Sequence, residues 1–300
     1  LKQHRCDLAY IPNFSLLLWK RIPTIVTIHD LIEFNVAKKF SRLRMLYRRC
    51  IDPLMVRNST FVLTVSECSR RDIVKYLKGD LGKIAVTPNA VDQRKFRKLS
   101  PDLIDPVLNR YKLKCGDYFV FVGTIDFPGK NIKTALDAFF NLKKKRMVSE
   151  KLVIIGKDGH NSQSIYEHVR KSEYGRDVLF AGYVPDDDLP ALYSGAKLMI
   201  YLSLYEGFGL PVLEAMACGT VPICSDSSCF PEVVGPLDVC VPPTDVAAVE
   251  RKILEIAGNA AYREELAEAC VRRAGSFSWS ASARLYHKVF EAHIISRCPR

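Results

Sequence analysis

Short apolar runs alternate with amphipathic helical patterns along almost the whole of this 300-residue chain. That alternation constrains the fold more than any other feature. A strand that is apolar throughout is buried on both faces, and successive strands joined by helices run parallel. In the first third, strands are expected at Leu8–Ile11, Thr24–Ile28, Phe61–Val65 and Lys83–Thr87, with helices at Ser41–Arg57 and Ser66–Leu77. Strands follow near Tyr118–Gly123, Lys151–Gly156, Asp177–Ala181, Lys197–Tyr201 and Val221–Ser225. The intervening and following helices are expected near Asn131–Lys143, Ser162–Lys171, Pro185–Ser194, Leu210–Cys218, Asp245–Gly258 and Asn259–Ala274. Phe277-Ser278-Trp279-Ser280 opens a last one. Residues Gln93–Pro106 are basic, polar and proline-flanked, and read as a linker. The expectation is an α/β protein of two units, residues 1–100 and 101–279.

Open α/β sheets bind ligands beyond the carboxyl ends of their strands, where the strand order reverses. That rule puts Thr124, Gly156, Tyr183, Leu204–Gly209 and Ser225 on one rim, and His29, Ser66 and Asn89 at strand ends of the other unit. The richest stretch is Tyr205–Glu232, YEGFGLPVLEAMACGTVPICSDSSCFPE. It follows a buried strand, turns through Gly207-Phe208-Gly209 and enters a helix at Leu210. Close-approaching glycine backbone, open amides and a helix dipole make an anion site. Glu206 precedes the turn and Glu214 lies one helical turn inside, so the pair can hold opposite ends of one polar ligand, such as a sugar and a ribose. Lys130 follows another strand-end turn, where an ammonium serves as a point charge for phosphate.

This block resembles the retaining glycosyltransferases of family 4, which carry two glutamates separated by seven residues. Other segments resemble the same family in the right order. They are His29-Asp30-Leu31-Ile32, Val65-Ser66-Glu67, Pro88-Asn89-Ala90-Val91-Asp92, Phe121-Val122-Gly123-Thr124 with Gly129-Lys130-Asn131, and Phe180-Ala181-Gly182-Tyr183-Val184-Pro185. The resemblance implies a GT-B fold, two Rossmann-like domains facing across a cleft, with the N-terminal one incomplete and the helix at 280–300 packing back on it. The chain begins at Leu1 in what reads as mid-fold, so an N-terminal truncation is expected. The resemblance implies that Glu214 binds the ribose. Glu206 lies by the sugar and its developing charge, with His29 as its catalytic companion on the acceptor side. The turn from Gly207 through Phe208 and Gly209 to Leu210 offers amides, and Val184 meets the base. Ser66 is expected to add acceptor-side contacts. The family often has an arginine six positions before the lysine; here that position is Thr124.

Composition narrows the partners. Residues 1–100 hold 20 Lys and Arg against 8 Asp and Glu, while the other 200 are nearly neutral. Such asymmetry suggests an anionic partner. No nucleic-acid motif is present, so an anionic membrane surface or a phosphorylated acceptor fits better. Within Lys38–Cys50, Phe40, Leu43, Leu46, Tyr47 and Cys50 form one helical stripe among six cations. The stripe is expected to pack inward and the charges to face lipid. Ten scattered cysteines have no zinc spacing and read as buried, reduced thiols of a cytosolic protein. No Asp-x-Asp pair flanked by a strand is placed to hold a magnesium diphosphate, so neither metal nor cofactor is expected.

The reading is a transferase moving a hexose onto a glycan or lipid-linked glycan in surface-polysaccharide synthesis. The wording around HDL, GYVPDD and LYEGFGLPVLEAMACG resembles mannosyltransferases, which implies GDP-mannose as donor. Two alternatives stay open: a UDP-glucose or UDP-N-acetylglucosamine enzyme, and a non-catalytic nucleotide-sugar-binding scaffold. The expected place of work is the cytoplasm, peripheral at the inner membrane face.

Overall fold

The computed structural model describes residues 6–13, 22–36 and 41–295. The chain divides into two compact units. One comprises 1–90, 206–208 and 278–300; the other comprises 91–205 and 209–277. Residues 91–100, with Arg94, Lys95, Arg97 and Lys98, therefore belong to the second unit rather than to the basic first one.

The first unit is a parallel sheet of β1 (Ala9–Ile11), β2 (Thr24–Ile28), β3 (Phe61–Thr64) and β4 (Ile84–Val86), in that spatial order. All of β2, TIVTI, is buried, as its unbroken apolar run requires. Helices α1 (Ile32–Asn35), α2 (Arg42–Asn58) and α3 (Glu67–Leu77) complete it. Val26, Ile28, Leu31, Met55, Val62 and Ile73 form the core. Serines start the two longer helices. Ser41 Oγ accepts from the Arg44 amide and Ser66 Oγ from the Ser69 amide.

Helix α2 is rotated relative to the sequence expectation. Leu43, Leu46 and Tyr47 are 80%, 61% and 54% exposed, and Cys50 is exposed with them. Phe40 lies outside the described residues. The inward face is Asp52, Met55, Val56 and Ser59, with Arg48 largely covered. Arg48 Nε sits 2.9 Å from Asp52 Oδ2 and 3.6 Å from Glu33 Oε1, while Arg44 donates to Glu33 at 3.1 Å. Buried carboxylates pair with these cations; Arg48 is drawn largely out of solvent, while Arg44 stays more than half exposed. Burial pushes the Asp52 carboxyl up to about 6 against the pull of Arg48.

The second unit opens with α4 (Pro101–Arg110), where a linker was expected. Ile104 and Leu108, four residues apart, are buried, and Tyr111 Oη donates to Asp188 at 2.7 Å. Pro101 misleads because proline in a first turn leaves no intrahelical donor missing, and Pro106 because it lies inside the helix and forgoes one bond that the packed face of α4 outweighs. Then follow β5 (Tyr118–Val122), α5 (Ile132–Lys144), β6 (Lys151–Ile155), α6 (Gln163–Arg170), β7 (Val178–Gly182), α7 (Leu189–Ser194), β8 (Leu198–Tyr201), α8 (Leu210–Ala217) and β9 (Pro222–Ser225). The short α9 (Phe230–Val234) and β10 (Cys240–Val241) were not anticipated; α10 (Val246–Gly258) and α11 (Ala260–Gly275) were. The six strands are parallel in the order β10-β9-β8-β5-β6-β7, so the order reverses between β5 and β8. The described cysteines are free thiols. Cys68, Cys218, Cys224, Cys229 and Cys270 are buried, whereas Cys50 and Cys115 are exposed.

The last helix, α12 (Trp279–Ile295), belongs to the first unit. Tyr286 and Phe290 pack on the Tyr10 ring, and His293 lies 4.8 Å from the Phe61 ring. Ser282 Oγ donates to the Pro88 carbonyl.

Leu108→Ala should cost about 2–5 kcal/mol as a buried truncation, and Leu43→Ser less than about 0.5 kcal/mol as a surface change. Urea unfolding of both variants checks this. Equal, small effects would contradict a packed α4.

Candidate functional site

Two loops meet where the second sheet reverses. One follows β5 and carries Gly129-Lys130; the other follows β8 and runs to Gly209. The Leu204 amide donates to the Gly129 carbonyl at 2.9 Å and ties them together. Lys130 Nζ donates to Tyr201 Oη at 2.9 Å and lies 5.4 Å from that ring's centroid. Tyr201 is fully buried, stacked on Phe121 at 5.4 Å and edge-on to Phe230 at 5.8 Å. The ammonium is thus fixed at the carboxyl end of β8.

Helix α8 begins beside it. Gly209 precedes the helix with φ 81°, a left-handed conformation, and a Cβ there would lie 2.8 Å from the Phe230 ring. Pro211 brings no N–H. The amides of Gly209 and Leu210 have no acceptor among the described residues. They are donors held for an outside group, at the positive end of the helix. One turn on, Glu214 Oε2 accepts from the fully buried Tyr193 hydroxyl at 2.9 Å. Burial raises the Glu214 carboxyl to about 7, and the Asp186 charge adds to this, while the Tyr193 bond and Lys95 oppose it.

A cavity of about 270 Å³ lies at the carboxyl ends of β5, β6 and β7, lined by Thr124, Gly156, Lys157, Tyr183, Val184 and Asp186 among others. Val184 is buried in the cavity wall. Tyr183 is exposed, with Lys157 Nζ 4.8 Å from its ring. Lys157 and Asp186 were missed from sequence. The available signal was their place directly after the strand-end Gly156 and the Gly182-Tyr183 turn.

The first unit supplies the other candidates. His29 ends β2 with its ring exposed, and Nε2 donates to the Pro12 carbonyl at 2.9 Å. Ser66 does not sit at a surface: it is buried as the α3 cap. Its hydroxyl donates to Ser69 Oγ, which in turn donates to the His29 carbonyl at 3.2 Å. Its role is to hold His29 from behind. Glu206, Gly207 and Phe208 count with this unit, whereas Gly209 and Glu214 count with the other. A Cβ on Gly207 would lie 2.3 Å from the His29 carbonyl oxygen, so only glycine permits this approach. Asp30 is thereby brought near Glu206. Burial raises the Asp30 carboxyl, its Ile32 amide bond lowers it, and the Glu33 and Glu206 charges raise it further. Among the described residues, no group of three or more His, Cys, Asp or Glu is arranged to hold a metal.

Known proteins share this pattern. Residues 112–274 match the family described as Glycosyl transferases group 1, and residues 1–95 match Glycosyltransferase Family 4.

The chain belongs to the group 1 glycosyltransferases.

This glycosyltransferase is 31% identical over 279 residues to the O-antigen chain mannosyltransferase B of Escherichia coli, covering 93% of this chain and 72% of that protein. It is 28% identical over 276 residues to the serotype-specific mannosyltransferase WbdA of Escherichia coli, covering 89% of this chain and 33% of that one. Its fold is GT-B, like that of Anabaena HepE, solved with UDP and glucose. The TM-score is 0.77 at 17% identity, over 90% of this chain and 72% of that one.

The raised Glu214 carboxyl gives a pH signature. As pH falls through about 7 the ionised fraction drops, and with it the acceptor strength for a ligand hydroxyl. At pH 8 the parent should bind a nucleoside diphosphate about tenfold or more tighter than Glu214→Gln, from a charged hydrogen bond of about 1.5–3 kcal/mol. At pH 6 the two should converge. Calorimetric titration across pH 6–8 tests this, and parallel curves would remove Glu214 from the site.

Proposed function

We propose that this glycosyltransferase moves mannose from GDP-mannose onto a glycan or lipid-linked glycan during surface-polysaccharide synthesis, with retention at the anomeric carbon. The set formed by Lys130, the start of α8 and Glu214 carries the reading. It offers an ammonium, two unaccepted amides and a carboxylate in sequence along one loop pair. The relatives' mannosyltransferase names support the sugar. Asp186 on the cavity wall supports guanine. A carboxylate accepts from both N1–H and N2–H₂ of guanine, whereas uracil offers one N–H between two carbonyls.

The chemistry follows from those groups. The acceptor hydroxyl oxygen bonds to the anomeric carbon on the face from which the diphosphate leaves, and its proton passes to the departing phosphate oxygen. Lys130 and the Gly209 and Leu210 amides neutralise the leaving charge. Glu214 accepts from the ribose.

The UDP-sugar alternative has the UDP complex of HepE in its favour. A panel of GDP and UDP titrations with Asp186→Asn separates the two. Under our reading GDP binds at least tenfold tighter than UDP, and the substitution removes most of that preference. Preference for UDP would overturn the donor assignment, and binding without transfer to any glycan would leave a scaffold. Transfer should survive EDTA; activity lost in EDTA and restored by magnesium would overturn the metal-free scheme.

We also propose peripheral attachment at the cytoplasmic face of an anionic membrane. No described helix is long and apolar enough to cross a membrane. The exposed Leu43, Leu46 and Tyr47 of α2 lie beside Arg49, also exposed, an apolar stripe with a cationic edge. Liposome co-sedimentation should show two components. Arg49→Glu should lose the salt-sensitive part, and Leu43→Gln with Leu46→Gln the salt-resistant part. Pelleting unaffected by either change would refute the attachment.

A further inference from the structure

Cys224 on β9 and Cys240 on β10 are register partners in neighbouring parallel strands, and their sulfurs stand 3.7 Å apart. Neither thiol enters the transfer chemistry above. We infer that the pair is a modification site, a dithiol that a peroxide oxidises to a disulfide across the edge of the second sheet.

The placement meets what a disulfide demands. Paired positions on adjacent strands lie about 4.8 Å apart and send their side chains to the same face. Bridged cysteines need Cα atoms about 4.4–6.8 Å apart. Side-chain rotation closes the remaining gap, and the backbone stays where it is. Access divides the roles. Cys224, Cys229 and Cys270 are fully buried, and the last two are near enough to act on Cys224 electrostatically. Cys240 is the member of this group partly open to solvent. Its bond with Cys224 holds Cys240 below the ordinary thiol range; burial and the Asp226 and Asp238 charges oppose this, and Lys252 assists. The same bond, with burial, pushes the Cys224 thiol well up.

Cys240 is therefore the sulfur that meets the oxidant, since the thiolate is the nucleophile. It attacks hydrogen peroxide. An S–O bond forms, the O–O bond breaks, and the departing hydroxide becomes water with the proton that Cys240 released. Cys224 then attacks the sulfenic sulfur. An S–S bond forms, the S–O bond breaks, and the oxygen leaves as a second water with the Cys224 proton. Two electrons pass from the thiols to the peroxide. The bridge closes the segment that carries α9, whose Phe230 ring lies against Tyr201. It also secures β10, which has two residues and is held by bonds from the Cys224 and Asp226 amides to the Val239 and Val241 carbonyls. Just past β10, the Pro243 carbonyl accepts from Asn131 Nδ2 at 2.6 Å, one residue after Lys130. A covalent tie at this short edge strand thus steadies a latch beside the Lys130 loop.

Peptide mapping of the native chain after graded hydrogen peroxide tests the site. The expected product is a Cys224–Cys240 linked pair of peptides that has lost two hydrogens and is restored by dithiothreitol. Cys50 and Cys115, exposed single thiols, mark the oxidant dose. Amide exchange in α9 and residues 239–241 should slow about tenfold or more on oxidation. Cys240→Ser should lose both the bridge and the slowing, with Cys224 recovered as a thiol. Its melting temperature in reductant shows whether it folds, and the parent's map decides by itself if it does not. Four results would overturn the inference: Cys224 bridged to Cys229 or Cys270, Cys240 recovered as a sulfinic acid, both thiols still free once Cys50 and Cys115 are oxidised, or exchange unchanged by an intact bridge.

Discussion

The Lys130–Tyr201 hydrogen bond sits where the second sheet changes winding direction, and the donor-side geometry depends on that meeting. Reversal between β5 and β8 leaves two neighbouring strand ends whose following loops diverge. A ligand fits between such loops only if something holds them at a fixed spacing. Here the Leu204–Gly129 backbone bond and the buried Tyr201 ring do so. Phe230 extends the same support to the Gly209 turn, because its ring borders both Tyr201 and the space a Gly209 Cβ would need. The ammonium, the helix start and the aromatic stack form one continuous packing unit.

The first unit is organised by buried charge. Glu33 and Asp52 are covered carboxylates that would be costly alone. Arg44 and Arg48 meet them, and this turns α2 so that its leucines face outward. One choice of rotation has two consequences: it pairs the buried carboxylates with Arg44 and Arg48 and it exposes the apolar stripe. Net charge by itself separates neither role, since it records the cations without their partners.

The alternation of strands and helices was legible because parallel βαβ winding buries each strand on both faces. Most elements from β1 to α11 fall where the pattern puts them. The Glu206-to-Glu214 block, Lys130 and His29 were legible as strand-end or helix-start residues, and the structure places each at such a position. Helix α4 was hidden by its prolines, and α1, α9 and β10 are too short to show a period. Ser66 was visible as a polar strand-end residue, but not as a cap, because burial decides between those roles.

The sequence by itself determined the two parallel sheets and the glycine turn before α8, which follow from local spacing and periodicity, and its motifs carried the resemblance to the family. Tertiary structure alone decided which face of α2 is buried. It also decided that Tyr201 receives Lys130, that Glu214 is lifted towards neutrality, and that Gly207 lies against His29. These depend on residues tens or hundreds of positions apart being brought to contact distance. Desolvation and close packing act on that proximity, and neither leaves a periodic trace in the chain.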